Sequence, residues 1–352
     1  MLAAIFFFPI KVNAISAEKA IVIDATTETV LYEKNANNRS LIASTTKIMT
    51  AIIVCERCNV LDRFVVPKEA VGIEGSSLYL REGEIFTVQE LLYGLMLRSG
   101  NDAAVALAIY CGGTVEGFVQ LMNDKARQLG LTSTNFENPH GLDGQHHYST
   151  ARDLAVLACY AMKNPIFAQT VSTKNVRIGD RSVTNHNKLL WRMEGAEGVK
   201  TGYTKAAGRI LVSSAKRQGR RLIAVTINAP DDWSDHIKLM DNGFSKYRST
   251  VLVSAGDCLG YAQVRNGTDA KVPLLAADAF AFSIAEGETV DLVLQNSESV
   301  GAPVVNGQNA GHAVVIVDGV EVGKVQLVYG ALVWQVPEKV SFWKKLFGSV
   351  FG

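Results

Sequence analysis

Charge imbalance is almost absent from this 352-residue chain: 35 lysines and arginines stand against 34 aspartates and glutamates, a formal net charge of +1. That balance gives no footprint for nucleic acid, which is bound through concentrated basic patches. Cysteine is scarce as well, and the five residues form no disulfide pattern. Cys111 and Cys159 fall in apolar helical runs, where a thiol behaves as a small buried hydrophobe. Cys55-x-x-Cys58 is half of a metal motif without its second half, so packing or a thiol pair at a helix end is expected there. His146-His147 lacks partners at metal spacing, and neither a metal nor another cofactor is expected. The apolar stretch 1–10 stops before Lys11, too short for a spanning helix of about 20 residues.

What is present suits an exported globular protein. Hydrophobic residues make up 48% and charged residues 20%, ample for a core, and the length allows two domains at roughly 100 to 200 residues each. Residues 1–14, an apolar run ending before Lys11 and then the small or short residues Val12-Asn13-Ala14, read as a secretory signal peptide. Between 15 and 247 an N-terminal hairpin, a block of apolar helices and a run of strands indicate an α/β sheet whose edge the hairpin completes. Residues 248–336 change to short Val- and Leu-rich strands, with Asp318-Gly319 as a type I′ turn signal, and predict a small β-sandwich. In 337–352, Val340, Phe342, Trp343, Leu346, Phe347, Val350 and Phe351 take one side of a helical pattern and Ser341, Lys344, Lys345 and Ser349 the other. That is the pattern of a helix lying in a membrane surface.

Within this frame Ser44-Thr-Thr-Lys47 opens the apolar run Ile48, Met49, Ala51, Ile52, Ile53 and Val54. A helix starting here places Ser44 and Lys47 on one face, where a desolvated amine can take the serine proton. The same spacing recurs at Ser16/Lys19, Ser213/Lys216 and Ser341/Lys344, but only Ser44/Lys47 has a buried helix behind it. Ser99-Gly-Asn101 sits at a break between two apolar helices and offers a hydroxyl and an amide. Lys200-Thr-Gly202 starts a strand with a cation, a hydroxyl and a residue without a side chain, against which a substrate backbone can lie.

In their order these motifs resemble the serine D-alanyl-D-alanine carboxypeptidases, the low-molecular-mass penicillin-binding proteins, which share the Ser-x-x-Lys, Ser-x-Asn and Lys-Thr-Gly set with class A β-lactamases. The likeness extends to Asn138-Pro-His-Gly-Leu, Gly198-Val-Lys-Thr-Gly-Tyr-Thr, the β domain and the amphipathic tail. It implies a penicillin-recognising transpeptidase-like α/β (α+β) domain, an antiparallel sheet flanked by helices, followed by a small all-β domain. It also implies Ser44 as nucleophile toward stem peptides of peptidoglycan ending in D-Ala-D-Ala, Lys47 as general base, and Ser99 as proton relay. By the same likeness Asn101 meets the substrate amide, Lys200 and Thr201 the terminal carboxylate, and the N–H groups of Ser44 and Tyr203, beside Gly202, form the oxyanion hole. β-Lactams are then covalent inhibitors, and the location implied is the outer face of the cytoplasmic membrane. Many such proteins carry an arginine before the last helix of the domain where this chain has Pro230-Asp-Asp-Trp233, which leaves carboxylate recognition to Lys200 and Thr201. A class A-like β-lactamase would need a Glu-x-x-Leu-Asn loop, which does not occur between Asn101 and Lys200. A non-catalytic peptidoglycan-binding protein would tolerate the loss of a motif residue, and none is lost.

Overall fold

The structure, a computed structural model, describes residues 15–337. The signal-peptide reading of 1–14 and the helical reading of the tail from 338 onward lie outside these residues. Two compact units divide at residues 248 and 249.

The first unit opens with the hairpin Lys19–Asp24 (β1) and Val30–Lys34 (β2). A 3₁₀ turn, Ala43–Thr46, then runs into Lys47–Arg57 (α1). The expected helix therefore starts later than its hydroxyl signal suggests, and Ser44 belongs to the tighter turn. That turn repeats every three residues, so the i, i+3 relation to Lys47 survives. Arg63–Val65 (β3) pairs with Ile85–Thr87 (β4), and Thr87 and Glu90 form a capping box that starts Val88–Leu97 (α2). Asn101–Gly112 (α3), Val115–Gln128 (α4) and Ala151–Ala161 (α5) follow. Asn164-Pro165, which reads as the stop of α5, also starts Pro165–Ser172 (α6): Asn164 caps two amides and Pro165 sits in the first turn, where its missing N–H costs nothing.

Asn175–Ile178 (β5) and Arg181–Thr184 (β6) form a separate hairpin. After the short Leu189–Arg192 (α7) come the long strands Ala196–Thr204 (β7), Gly208–Arg217 (β8) and Arg220–Ile227 (β9), then Asp232–Lys246 (α8). The sheet order is β2-β1-β9-β8-β7, antiparallel throughout, with one row of partners running Glu33, Ile21, Val225, Val212, Lys200. On one face the sheet's Ile21, Val212 and Val225 share a core with Ile48, Met49, Ile52 and Ile53 of α1, all buried. Each such side chain contributes about 1.5–3 kcal/mol through burial. On the other face Gly243 of α8 lies so close to Leu222, Leu31 and Val22 that a Cβ would collide with Leu222. β7 is left as the sheet's edge, beside the turn that holds Ser44.

The second unit is all-β: Tyr247–Val253 (β10) leads into it, followed by Cys258–Arg265 (β11), Lys271–Ala276 (β12), Phe280–Ala285 (β13), Val290–Gln295 (β14), Ser299–Gly301 (β15), Asn309–Val317 (β16) and Val320–Tyr329 (β17). Six strands make one sheet, β14-β16-β17-β12-β11-β15, and β10 pairs with β13. Asp318 and Gly319 both take positive φ, +46° and +78°, as a type I′ turn between β16 and β17 requires.

Candidate active site

The Ser44 turn is held from two sides by glycines, one with little room for an extra atom and one with none. Gly202 of β7 approaches it so closely that a Cβ would lie 3.3 Å from Ala43 Cβ, Ile42 O and Ser44 N. This glycine admits the nucleophile's own turn against the strand, a closer reason for it than room for a substrate backbone. Gly141, at φ +90°, would place a Cβ 1.9 Å from Ala43 O. The loop carrying Gly141 is tied to α1 and to the turn before it by two threonine hydroxyls: Thr50 Oγ1 donates to Pro139 O at 2.6 Å, and Thr46 Oγ1 pairs with His147 Nε2 at 2.7 Å.

That loop delivers a carbonyl to Lys47. The Lys47 Nζ lies 2.6 Å from His140 O, 2.6 Å from Asn101 Oδ1 and 3.1 Å from Ser44 Oγ. Lys47 is fully buried. Burial and, next, repulsion from Lys200 hold its pKa well below the ordinary lysine value, and Asp102 opposes this without reversing it. A neutral amine has two N–H groups and one lone pair. The two short contacts, both to acceptors, take the two N–H groups, and the lone pair is left for the Ser44 hydroxyl proton.

Ser99 lies in the break between α2 and α3, and Asn101 opens α3. Ser99 takes φ +66°, a conformation that costs a non-glycine residue about 1–3 kcal/mol. Asn101 bonds in both directions, accepting from Lys47 and donating through Nδ2 to Glu74 O at 2.5 Å, so it orients the base and keeps one N–H to spare. The segment over this break is fixed by Asp102, a buried carboxylate that accepts from Ser77 Oγ, Leu78 N and Leu80 N. The sequence reading passed over Asp102; an acidic residue in a helix's first turn was the available signal.

Lys200 is buried and donates to Thr201 O at 2.9 Å; burial lowers its pKa to about 7. His186 is pushed down to about 4 by burial, then by Lys200 and Arg98, and is neutral at pH 7. Ser44, Ser76, Ser99, His186, Thr201, Gly202, Tyr203, Arg209, Asp232 and Trp233 line one cavity of about 300 Å³. Ser44, Ser99, Thr201, Gly202 and Tyr203 thus share a cavity, with Lys47, Asn101 and Lys200 behind its wall.

Arg209 was missed. It sits on β8 opposite Tyr203 of β7, its guanidinium 5.8 Å from the Trp233 ring centroid and bonded at 2.6 Å to Asp232 Oδ1. Its side chain is 43% exposed. The cation missing from Pro230-Asp-Asp-Trp233 is therefore supplied to the cavity by the neighbouring strand, and two residues of that segment hold it in place. Hairpin register was the signal: the turn after Tyr203, with Gly208 at φ +70°, folds Arg209 back beside it. Among the described residues no cluster of three His, Cys, Asp or Glu side chains could hold a metal ion.

Residues 8–231 match the family model of the D-alanyl-D-alanine carboxypeptidases, and residues 247–333 that of the penicillin-binding protein 5 C-terminal domain. D-alanyl-D-alanine carboxypeptidase DacF of Bacillus subtilis is 34% identical over 319 residues, 86% of this chain and 82% of its own. DacC of Escherichia coli is 32% identical over 321 residues, 86% and 80% of the two chains. Among solved structures, penicillin-binding protein 5 of Haemophilus influenzae superposes with a TM-score of 0.82 at 29% identity, covering 94% of this chain and all of that one.

Proposed function

This chain belongs to the D-alanyl-D-alanine carboxypeptidase family, and we propose that the residues described above divide the family's serine-type hydrolysis among them. The enzyme removes the terminal D-alanine of peptidoglycan stem peptides and binds β-lactams. Ser44 Oγ gives its proton to Lys47 Nζ while attacking the carbonyl carbon of the penultimate D-alanine. The N–H groups of Ser44 and Tyr203 take the oxyanion. When the intermediate collapses, the scissile C–N bond breaks and the proton passes from Lys47 through Ser99 to the leaving amine. Water then attacks the ester, with Lys47 again as base, and releases the shortened stem.

Thr201 and Arg209 hold the terminal carboxylate, and buried Lys200 adds its field. Asn101 keeps Lys47 aimed and offers its spare N–H to the substrate amide. The observation that carries this reading is the Lys47 amine, 3.1 Å from Ser44 with both other contacts filled by acceptors. Labelled penicillin tests it. Wild-type protein takes the label on Ser44 and Ser44→Ala takes none while keeping its melting temperature; a labelled Ser44→Ala protein refutes the assignment.

We assign catalysis to 15–247, support to the β domain 248–336, export to 1–14, and attachment to the outer face of the cytoplasmic membrane to 337–352. The composition of both ends supports the last two roles: a short apolar run before Lys11, and Trp343 with Phe342, Phe347 and Phe351 opposite Lys344 and Lys345.

A further inference from the structure

The last described segment of the β unit is held in extended register. Val304 and Val333 exchange both backbone hydrogen bonds, at 2.9 and 3.0 Å; Thr268 N donates to Trp334 O, and Val336 N to Asn266 O, each at 2.8 Å. In an extended chain alternate side chains face opposite ways. Val304 and Val333 turn inward, 0% and 1% exposed, into the core with Ala262, Leu274 and Tyr329. Leu332 and Trp334 on either side of Val333, Val336 two residues further and Val305 beside Val304 turn outward and are apolar, 45%, 63%, 46% and 55% exposed, while Gln335 between Trp334 and Val336 is exposed as well. Alternation on a solvated face normally puts polar residues there.

The chain's own continuation says what meets this ridge. Val336 stands four residues before Val340, the first apolar residue of the pattern Val340, Phe342, Trp343, Leu346, Phe347 in the tail. The ridge and the tail's apolar face are therefore consecutive in the chain. We propose that the ridge of Leu332, Trp334 and Val336, with Val305 beside it, is a second membrane-contacting surface, entering the interfacial layer of an anionic bilayer together with the tail. The inference rests on reading 337–352 as the membrane anchor. Tryptophan favours this depth, since its ring is apolar and its N–H still reaches water. Four side chains expose on the order of a few hundred Å², short of the roughly 600–1,000 Å² per partner that a stable second copy would bury. A tail alone tethers the β unit, whereas a tail and a rigid ridge together fix its orientation on the bilayer.

The test uses vesicles of mixed phosphatidylcholine and phosphatidylglycerol and compares the wild-type chain, the chain ending at Pro337, and the full chain carrying L332S, W334S and V336S. Penicillin labelling serves as the check of folding. The triple variant is expected to label normally and to partition onto vesicles about tenfold or more weakly than wild type. With brominated acyl chains, the full-length W343F protein should lose emission that the W343F/W334F protein does not. Binding that truncation abolishes, with the triple variant unchanged and Trp334 unquenched, leaves the anchor standing and overturns the ridge. A wild-type chain that ignores vesicles overturns both. A wild-type dimer in sedimentation velocity that the triple variant converts to monomer gives the ridge to a second copy and overturns the proposal. So does Trp334 shielded from iodide in the full-length W343F chain without vesicles and exposed by truncation, because the tail itself then covers it.

Discussion

Lys47 and Lys200 both lie behind the cavity wall, and repulsion from Lys200 is, after burial, the second cause that lowers the Lys47 pKa. Acylation requires the neutral amine, so its rate rises with pH through the lowered pKa of Lys47. Removing the second charge lets that pKa climb. Lys200→Met is therefore expected to move the acid limb of the penicillin-acylation profile to higher pH, and a limb left in place would mean that burial alone sets the base. Arg209 works at the same scale with a different readout. Losing a charged hydrogen bond to the substrate carboxylate costs about 1.5–3 kcal/mol, or roughly ten- to a hundredfold in kcat/KM. Arg209→Gln should show that loss with a peptide ending in a free carboxylate and little of it with the carboxamide. Equal losses on both would make Arg209 a support for Trp233 and Asp232 rather than a carboxylate ligand.

Among the elements, the turn at Ser44 depends on the loop that presses on it. Gly141→Ala would put a methyl group into Ala43 O at a backbone angle that disfavours any side chain, and should lower folding stability by about 3 kcal/mol or more and slow acylation with it. Chemical denaturation and labelling kinetics check this; an unchanged midpoint would show that the loop can yield. The contrast with what was legible beforehand is instructive here. Ser44, Lys47, Ser99 and Asn101 are legible because each occupies the start or break of an element with a strong local signal; Lys200, expected at the start of a strand, lies in the middle of β7 and is legible through its Lys-Thr-Gly motif. His140 O, Asp102 and Arg209 are not. One is a backbone group indistinguishable from any other in sequence, one works by gathering a distant segment, and one enters through strand register. The sequence places the Ser44 helix slightly early because a 3₁₀ turn and a first α turn share the same hydroxyl-rich composition, and Asn164-Pro165 reads as an ending although a proline that stops one helix is equally suited to begin the next.

At the scale of the whole molecule, the hairpin completing one edge of a sheet flanked by helices and the change to an all-β unit both follow from hydrophobic period, which long-range packing preserves. The chemistry of the intact enzyme turns on what happens after acylation. Among the described residues that line the cavity the one carboxylate is Asp232, held by Arg209. His186 is neutral at pH 7, and the chain has no Glu-x-x-Leu-Asn loop to activate water against a β-lactam ester. A departing D-alanine vacates its space for water, whereas an opened penicillin ring remains tethered there. The most direct test of the account is mass spectrometry of the protein over time after mixing with penicillin, with the adduct mapped by peptide. The account predicts a penicilloyl group on Ser44 that persists for minutes or longer while the D-Ala-D-Ala peptide is turned over quickly. Prompt return of the unmodified mass with catalytic loss of the drug, or an adduct on any residue other than Ser44, would contradict it.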